Sequence, residues 1–269
     1  MLTSPCAKLN LGLRILRKRS DGYHEIQTLF YPIPLYDLLE VLPHDGEIAW
    51  DDGGWSGSPS EENLVYRAYR LLQQEYPTLP SVRIILRKRI PTGAGLGGGS
   101  SDAAFMLRSL QRLFGLPISE ERLKQLATTL GADVPFFLTP QPSIGEGIGE
   151  ILTPYPHLPD LSGWHLTLLL PGIHISTALA YAGVAPSDQG EDLREVLRRP
   201  IEEWREWLHN DFEASVFAKY PLLSELKERL YHSGATYAAM SGSGSTLFAL
   251  SPEPLPLQDL DCEYKTLIL

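Results

Sequence analysis

Cysteine is scarce: the 269 residues contain two, Cys6 and Cys262. That is too few for a disulfide framework, and the pair lacks the short spacing of a zinc site, so a reducing, cytoplasmic setting is expected. Long apolar runs are missing as well. Leucine-rich stretches such as 166–170 fall far short of the ~20 residues that cross a bilayer, and the start of the chain has no charged region leading into an apolar one. No membrane partner is expected, and a mature form beginning near Met1. Positive charge is in deficit, with 23 Lys and Arg against 33 Asp and Glu and a formal net charge of −10. The chain as a whole is therefore repelled by nucleic acid and by anionic lipid. Its two short basic runs, 17–19 and 87–89, read as solvated faces or, at most, as contacts for a bound anion.

What remains is an ordinary globular composition, 43% hydrophobic and 21% charged, which excludes disorder as the main state. The length suits one or two domains at ~100–200 residues each. Residues 7–15 alternate, with Ala7, Leu9, Leu11, Leu13 and Ile15 on one face and Lys8, Asn10, Gly12 and Arg14 on the other. This is the period of a half-buried strand, and it places Lys8 and Asn10 on the same side. Strands are expected at 26–31 and 38–42, separated by Pro32 and Pro34, then a surface loop at 51–60. Ser60 or Glu61 begins a helix, and a short strand follows at 82–86. A glycine-rich segment from Pro91 leads into a helix stopped by Gly115; a second helix runs from a Ser119 cap to Leu130 before Gly131.

The proline- and glycine-rich stretch 139–163 marks a boundary, dividing the chain into domains 1–152 and 153–269. Beyond it, strands are expected at 166–170, 237–240 and 246–250, with helices near 202–208 and 222–231. The class is α+β, without repeats.

Between Gly93 and Gly99 every residue but Leu96 is Gly or Ala. Glycine in ordered chain costs ~0.5–1 kcal/mol relative to alanine, so packing alone is a poor explanation, and something is expected to come close to the backbone. A loop opening a helix aims free N–H groups and a partial positive charge at one spot, which suits phosphate. Ser100 and Ser101 add hydroxyls; the plainer alternative is a turn with one of them as helix cap. Gly93, Gly95 and Gly98 satisfy G-x-G-x-x-G, but the acidic strand end of a dinucleotide fold is replaced by a helix start at Ser119-Glu120-Glu121. The Walker lysine is also absent, since the loop ends Gly99-Ser100-Ser101, so any lysine serving phosphates comes from elsewhere. Neither a G-x-S-x-G elbow nor a zinc-protease His pair occurs. Taken alone, Asp133 reads as a helix cap before Val134-Pro135 and Lys8 as a surface strand residue.

The segment Pro91-Thr92-Gly93-Ala94-Gly95-Leu96-Gly97-Gly98-Gly99-Ser100-Ser101 closely resembles the signature loop of the GHMP kinases, the family of galactokinase, homoserine, mevalonate and phosphomevalonate kinases. Residues 5–11, 19–24, 131–137 and 242–245 extend the resemblance from Pro5 to about Leu250. They narrow it to the branch that acts on a cytidine diphosphate sugar alcohol. The resemblance implies a two-domain GHMP kinase-like fold, with an N-terminal nucleotide-binding domain and a smaller C-terminal α/β domain closing over the substrate.

It also implies ATP-dependent phosphorylation of the 2-hydroxyl of a small molecule, cytidine diphosphate methylerythritol. By the same likeness Asp133 is the base, Lys8 lies beside it, and ATP is held by Asn63, Lys88, Pro91 and the loop from Gly93 to Ser101, including Ala94, Leu96, Gly97, Gly98 and Ser100. Asn10, Tyr23, His24, Phe30, Thr177 and Tyr181 fall to the cytidine substrate. Magnesium is implied with ATP; Ser101 is a candidate contact and no ligand set is assigned. The family commonly has a glycine pair where this chain has Pro140-Gln141, so that turn is expected to differ. Other readings of the same residues are a kinase for homoserine or mevalonate, a nicotinamide-dependent oxidoreductase, or a protein that holds nucleotide without turnover. Nothing in the sequence sets an oligomeric state.

Overall fold

The computed structural model describes residues 1–54, 62–257, 260 and 262–269. In chain order these form β1 (Leu2–Thr3), β2 (Cys6–Lys18), β3 (His24–Tyr36), β4 (Leu38–Pro43), β5 (Ala49–Asp51), α1 (Leu64–Glu75), β6 (Val82–Arg87), α2 (Gly98–Leu113) and α3 (Glu120–Leu130). A 3₁₀ turn (Val134–Leu138) leads to β7 (Ser143–Glu146), β8 (Ile151–Pro154), β9 (His165–Leu170), α4 (Thr177–Ala182) and α5 (Leu193–Leu197). After a second 3₁₀ turn (Ile201–Glu203) come α6 (Trp204–Trp207), α7 (Phe212–Lys219), α8 (Pro221–His232), β10 (Tyr237–Met240), β11 (Leu247–Ser251) and β12 (Glu263–Ile268). Packing groups the chain into two units, each assembled from separated stretches.

The first unit takes Met1–Ala7, Leu35–Thr92 and Gly97–Pro140. Its sheet has the order β1-β4-β6-β5, with β4 antiparallel to β6 so that Leu39 faces Leu86 and Val41 faces Ile84, all four buried. Helix α1 buries Val65, Ala68, Tyr69 and Leu72 and packs on α2, in which Ala103 and Ala104 are buried. The Asn63 carboxamide oxygen accepts the Val65 N–H at 2.9 Å, and the Ser119 hydroxyl accepts that of Arg122 at 3.1 Å. Each such cap contributes ~1 kcal/mol to its helix. The helix start expected at Ser60 or Glu61, and most of the loop expected at 51–60, lie outside the described residues.

The second unit takes Lys8–Pro34, Gly93–Leu96 and Gln141–Leu269. It holds a sheet of order β2-β3-β7-β8 and another of order β10-β11-β9-β12. β9 is interior to the latter and residues 166–169 are all buried, which is why its sequence is mostly leucine rather than alternating, with the buried Thr167 as its one polar residue after His165. Leu13, Ile15, Leu169, Val216, Leu226, Leu230 and Met240 join the core of this unit.

Two expectations need correction. The face of β2 carrying Lys8 and Asn10 is buried too, with Lys8 only 3% exposed, because alternation reports polarity and not exposure. β3 runs straight through Pro32 and Pro34: spaced by two, their missing N–H groups fall on one edge of the strand, and pairing with β7 stops at Phe30. The stretch 139–163, rich in proline and glycine, contains the β7–β8 hairpin. No helix among the described residues is long and apolar enough to cross a membrane.

Trp204 is fully buried, edge-on to Tyr237 at 5.5 Å, and its indole N–H donates to the Arg199 carbonyl at 3.1 Å. Trp204→Ala leaves both a cavity and an unused acceptor, and urea unfolding is expected to show a loss of ~3–5 kcal/mol; a loss below ~1 kcal/mol would show that the site collapses.

Candidate active site

Helix α2 starts earlier than a serine cap would place it. Its cap is Gly97, in the left-handed region at φ +70°, and no side chain caps the first turn. Ser100 and Ser101 therefore lie inside the helix, and the opening amides are left without an intrahelical acceptor, as an anion site requires. Packing turns out to explain some of the glycines. At Gly95, φ is +82° and an added Cβ would lie 2.1 Å from the Ser241 carbonyl oxygen; at Gly98 it would lie 2.8 Å from Ile90 and 3.2 Å from the Lys88 ammonium. Gly99 is exposed with only Leu64 near, and Gly93 faces His174. What comes close to the loop is thus partly the protein itself.

Lys88, in the first unit, is buried between two carboxylates. Its ammonium donates to Asp37 and, at 2.6 Å, to Asp102. Asp37 also accepts the N–H groups of Arg89 and, at 2.9 Å, Ile90, so one carboxylate fixes the chain entering the glycine loop while Asp102 fixes the helix leaving it. Burial works against the Lys88 charge, yet the two carboxylates outweigh it and hold its pKa above the ordinary lysine value. Burial also pushes Asp102 up to about 7; Lys88 opposes that rise and the Asp37 charge adds to it. One ammonium faces two buried carboxylates, and burial together with the neighbouring Asp37 charge favours the protonated form of Asp102.

In the second unit, β2 carries Lys8 and Asn10. The Lys8 ammonium donates to the Asn10 carboxamide oxygen at 2.5 Å and stands 5.4 Å over the centre of the Phe30 ring. Asn10 in turn donates to the Thr28 hydroxyl at 2.9 Å, which donates to the Gly12 carbonyl at 2.6 Å. The Lys8 backbone N–H donates to Leu96 O at 3.0 Å, joining the strand to the glycine loop. Gly242 completes the group, since a Cβ there would lie 3.2 Å from the Asn10 oxygen and 3.6 Å from the Lys8 ammonium.

Asp133 is half-buried in the first unit, between α3 and the 3₁₀ turn in which Val134, Pro135, Phe136 and Phe137 are buried against α2 and α3. Its side chain makes no capping bond to that turn, so the cap reading fails. Asn63 and Pro91 also belong to this unit, Asn63 as the cap of α1. Of the aromatic candidates, Tyr23 is 60% exposed, and His24 stacks on Tyr181 at 4.6 Å between ring centres and 16° between planes. Thr177 is exposed at the first position of α4, and Phe30 is buried, leaving no room for a Cβ on Gly145. Asp37, Asp102, Asn210 and Ser241 were missed. Asp102 alone carried a signal, as the one charged residue among the buried positions of α2.

The description "GHMP kinases N terminal domain" matches residues 63–141, and "GHMP kinases C terminal" matches residues 192–260. The fold and the loop thus fall in one class, the GHMP kinases. A 4-diphosphocytidyl-2-C-methyl-D-erythritol kinase of Bacteroides fragilis is 48% identical over 258 residues, 94% of this chain and 93% of the relative. That of Porphyromonas gingivalis is 47% identical over the same shares. A crystal structure of 4-(cytidine 5'-diphospho)-2C-methyl-D-erythritol kinase aligns with a TM-score of 0.79 at 41% identity, covering 93% of this chain and 90% of that one. Homoserine kinase from Cytophaga hutchinsonii, at 16% identity and a TM-score of 0.66 over 98% of this chain and 93% of its own, shares the fold alone. The chain belongs to the 4-diphosphocytidyl-2-C-methyl-D-erythritol kinase family, a branch of the GHMP kinases.

Two outcomes follow from the packing and the charges. Gly95→Ala forces a methyl group onto the Ser241 carbonyl at a positive φ, and denaturant unfolding is expected to register at least about 1–3 kcal/mol; wild-type stability would mean that the two loops part freely. Asp102, with its folded pKa raised, contributes stability that is fully present below about pH 4, the unfolded carboxylate value, and is lost as pH rises through about 7. The wild type should therefore lose stability over that window relative to Asp102→Asn. Parallel pH profiles for the two proteins would contradict the raised pKa.

Proposed function

We propose that this chain transfers the γ-phosphoryl group of ATP to the 2-hydroxyl of 4-diphosphocytidyl-2-C-methyl-D-erythritol, a cytoplasmic step toward isoprenoid precursors by the non-mevalonate route. The observation that carries this reading is the buried Lys8–Asn10 pair, hydrogen-bonded through the Lys8 backbone to the glycine loop. A domain boundary near residues 152 and 153 goes with it, one family match falling on each side.

Phosphoryl transfer through a loose transition state asks mainly for alignment and for positive charge around the moving group. The uncapped amides at the start of α2 and the adjoining loop receive the triphosphate. Lys8 brings an ammonium held in place by Asn10 and by the Phe30 ring beneath it, so Phe30 acts through Lys8 and not as an open platform. Asp133 takes the proton of the acceptor hydroxyl, its backbone fixed by the buried Val134–Phe137 anchor. Lys88, matched by its two carboxylates, serves ATP by bracing the loop.

Magnesium fits one buried group: the Ser101 hydroxyl, which has no hydrogen-bond partner among the described residues. No group of three or more His, Cys, Asp or Glu among those residues could hold a metal, so phosphate oxygens would supply most of its ligands, and the ion would add positive charge at the transferred group. At the cytidine end, Tyr23 supplies an exposed ring, His24 and Tyr181 a half-buried stacked pair, and Thr177 a hydroxyl.

ATP consumption should require the cytidine compound, and homoserine or mevalonate should not replace it. Asp133→Asn is expected to lower turnover by ~10²–10⁴ while an ATP analogue binds as before; undiminished turnover would remove Asp133 from the reaction. Tyr23→Ala should raise KM for the cytidine substrate and leave that for ATP unchanged, whereas a joint rise would place Tyr23 elsewhere.

A further inference from the structure

We propose that Ser241 and Asn210 are positioning residues for phosphoryl transfer, setting the separation between the glycine loop and the Lys8–Asn10 pair. This rests on the function proposed above, which gives those two segments their roles.

Three stretches distant in sequence meet in the second unit: the start of β2, the glycine loop at 93–96, and the β10–β11 connection. The Ser241 hydroxyl links all three. It accepts the Asn10 backbone N–H at 3.3 Å and donates to the Gly95 carbonyl at 3.0 Å. The Thr246 N–H donates to Ala94 O at 3.2 Å, so the glycine loop is gripped at two successive residues. The Ser241 carbonyl occupies the space that a side chain on Gly95 would need, and Gly242 lies against Asn10 and Lys8. A shift of this connection would therefore move the loop against β2.

Asn210 holds the connection still. Its carboxamide N–H groups donate to Met240 O at 2.7 Å and Gly242 O at 2.8 Å, either side of Ser241, while its oxygen accepts the Phe212 N–H at 3.0 Å. The backbone around it is pinned to β2, with Leu13 N donating to His209 O and Asp211 N to Leu13 O, both at 2.9 Å. Both side chains are buried, and every bond named is an ordinary neutral one, a small part of the stability of the fold. Alignment is far less tolerant, since a 1 Å misplacement can cost ~10²-fold in rate.

The test uses the full chain carrying Ser241→Ala or, separately, Asn210→Asp, which keeps the acceptor and the shape but removes both donors. Expected for either is a ~10–100-fold fall in kcat well below the unfolding temperature, with KM for ATP changed far less. Amide hydrogen exchange should quicken at residues 93–96 and stay as in the wild type across β9. Wild-type exchange at 93–96 in both variants, or exchange quickened throughout the unit, would overturn the proposal. Local loosening with wild-type kcat would instead overturn the assignment of the glycine loop to the reaction, and the positioning role with it.

Discussion

A backbone carbonyl sits where no side chain at residue 95 could be. The contact of Ser241 with Gly95 fixes the conformation of the glycine loop, and through Gly242 the same connection lies against Lys8 and Asn10. The loop is therefore a shaped element and not a slack one. Its amides are presented in a set geometry, which is what electrostatic stabilisation of a phosphoryl group requires.

Two buried lysines illustrate how the protein handles charge near this loop. Lys88 is enclosed by carboxylates and braces the chain at both ends of the loop, with Asp37 holding the entering amides and Asp102 the first turns of α2. Lys8 rests on a carboxamide oxygen and an aromatic face. Removing water from an ammonium is unfavourable unless polar and aromatic groups replace it, and each site does so with different chemistry. Lys88 is thus tied to two carboxylates, while Lys8 keeps the neutral partners Asn10 and Phe30.

Much of this was readable in the sequence. Alternation placed Lys8 and Asn10 on one face; the leucine-rich stretch at 166–170 marked a buried strand; Ser119 and Gly131 bounded α3; and motif resemblance named the family. Other features had no local signature. The reason Gly95 must be glycine lies 146 residues away, at Ser241. Asn210 is one asparagine among polar neighbours until β10 and β11 bring two carbonyls to it. Lys88 read as part of a solvated basic run because its partners, Asp37 and Asp102, are separated from it by 51 and 14 positions. Periodicity reports the face a residue occupies, whereas pairings across the fold appear only once the chain has closed.

The proposed reaction requires Asp133 to meet the alcohol that receives the phosphoryl group. A crystal structure with a non-hydrolysable ATP analogue and 4-diphosphocytidyl-2-C-methyl-D-erythritol measures this directly. Expected is a carboxylate oxygen of Asp133 within ~2.6–3.2 Å of the 2-hydroxyl, with the triphosphate on the amides that open α2. A 2-hydroxyl held by other groups and out of reach of Asp133, or a triphosphate bound away from the glycine loop, would contradict it.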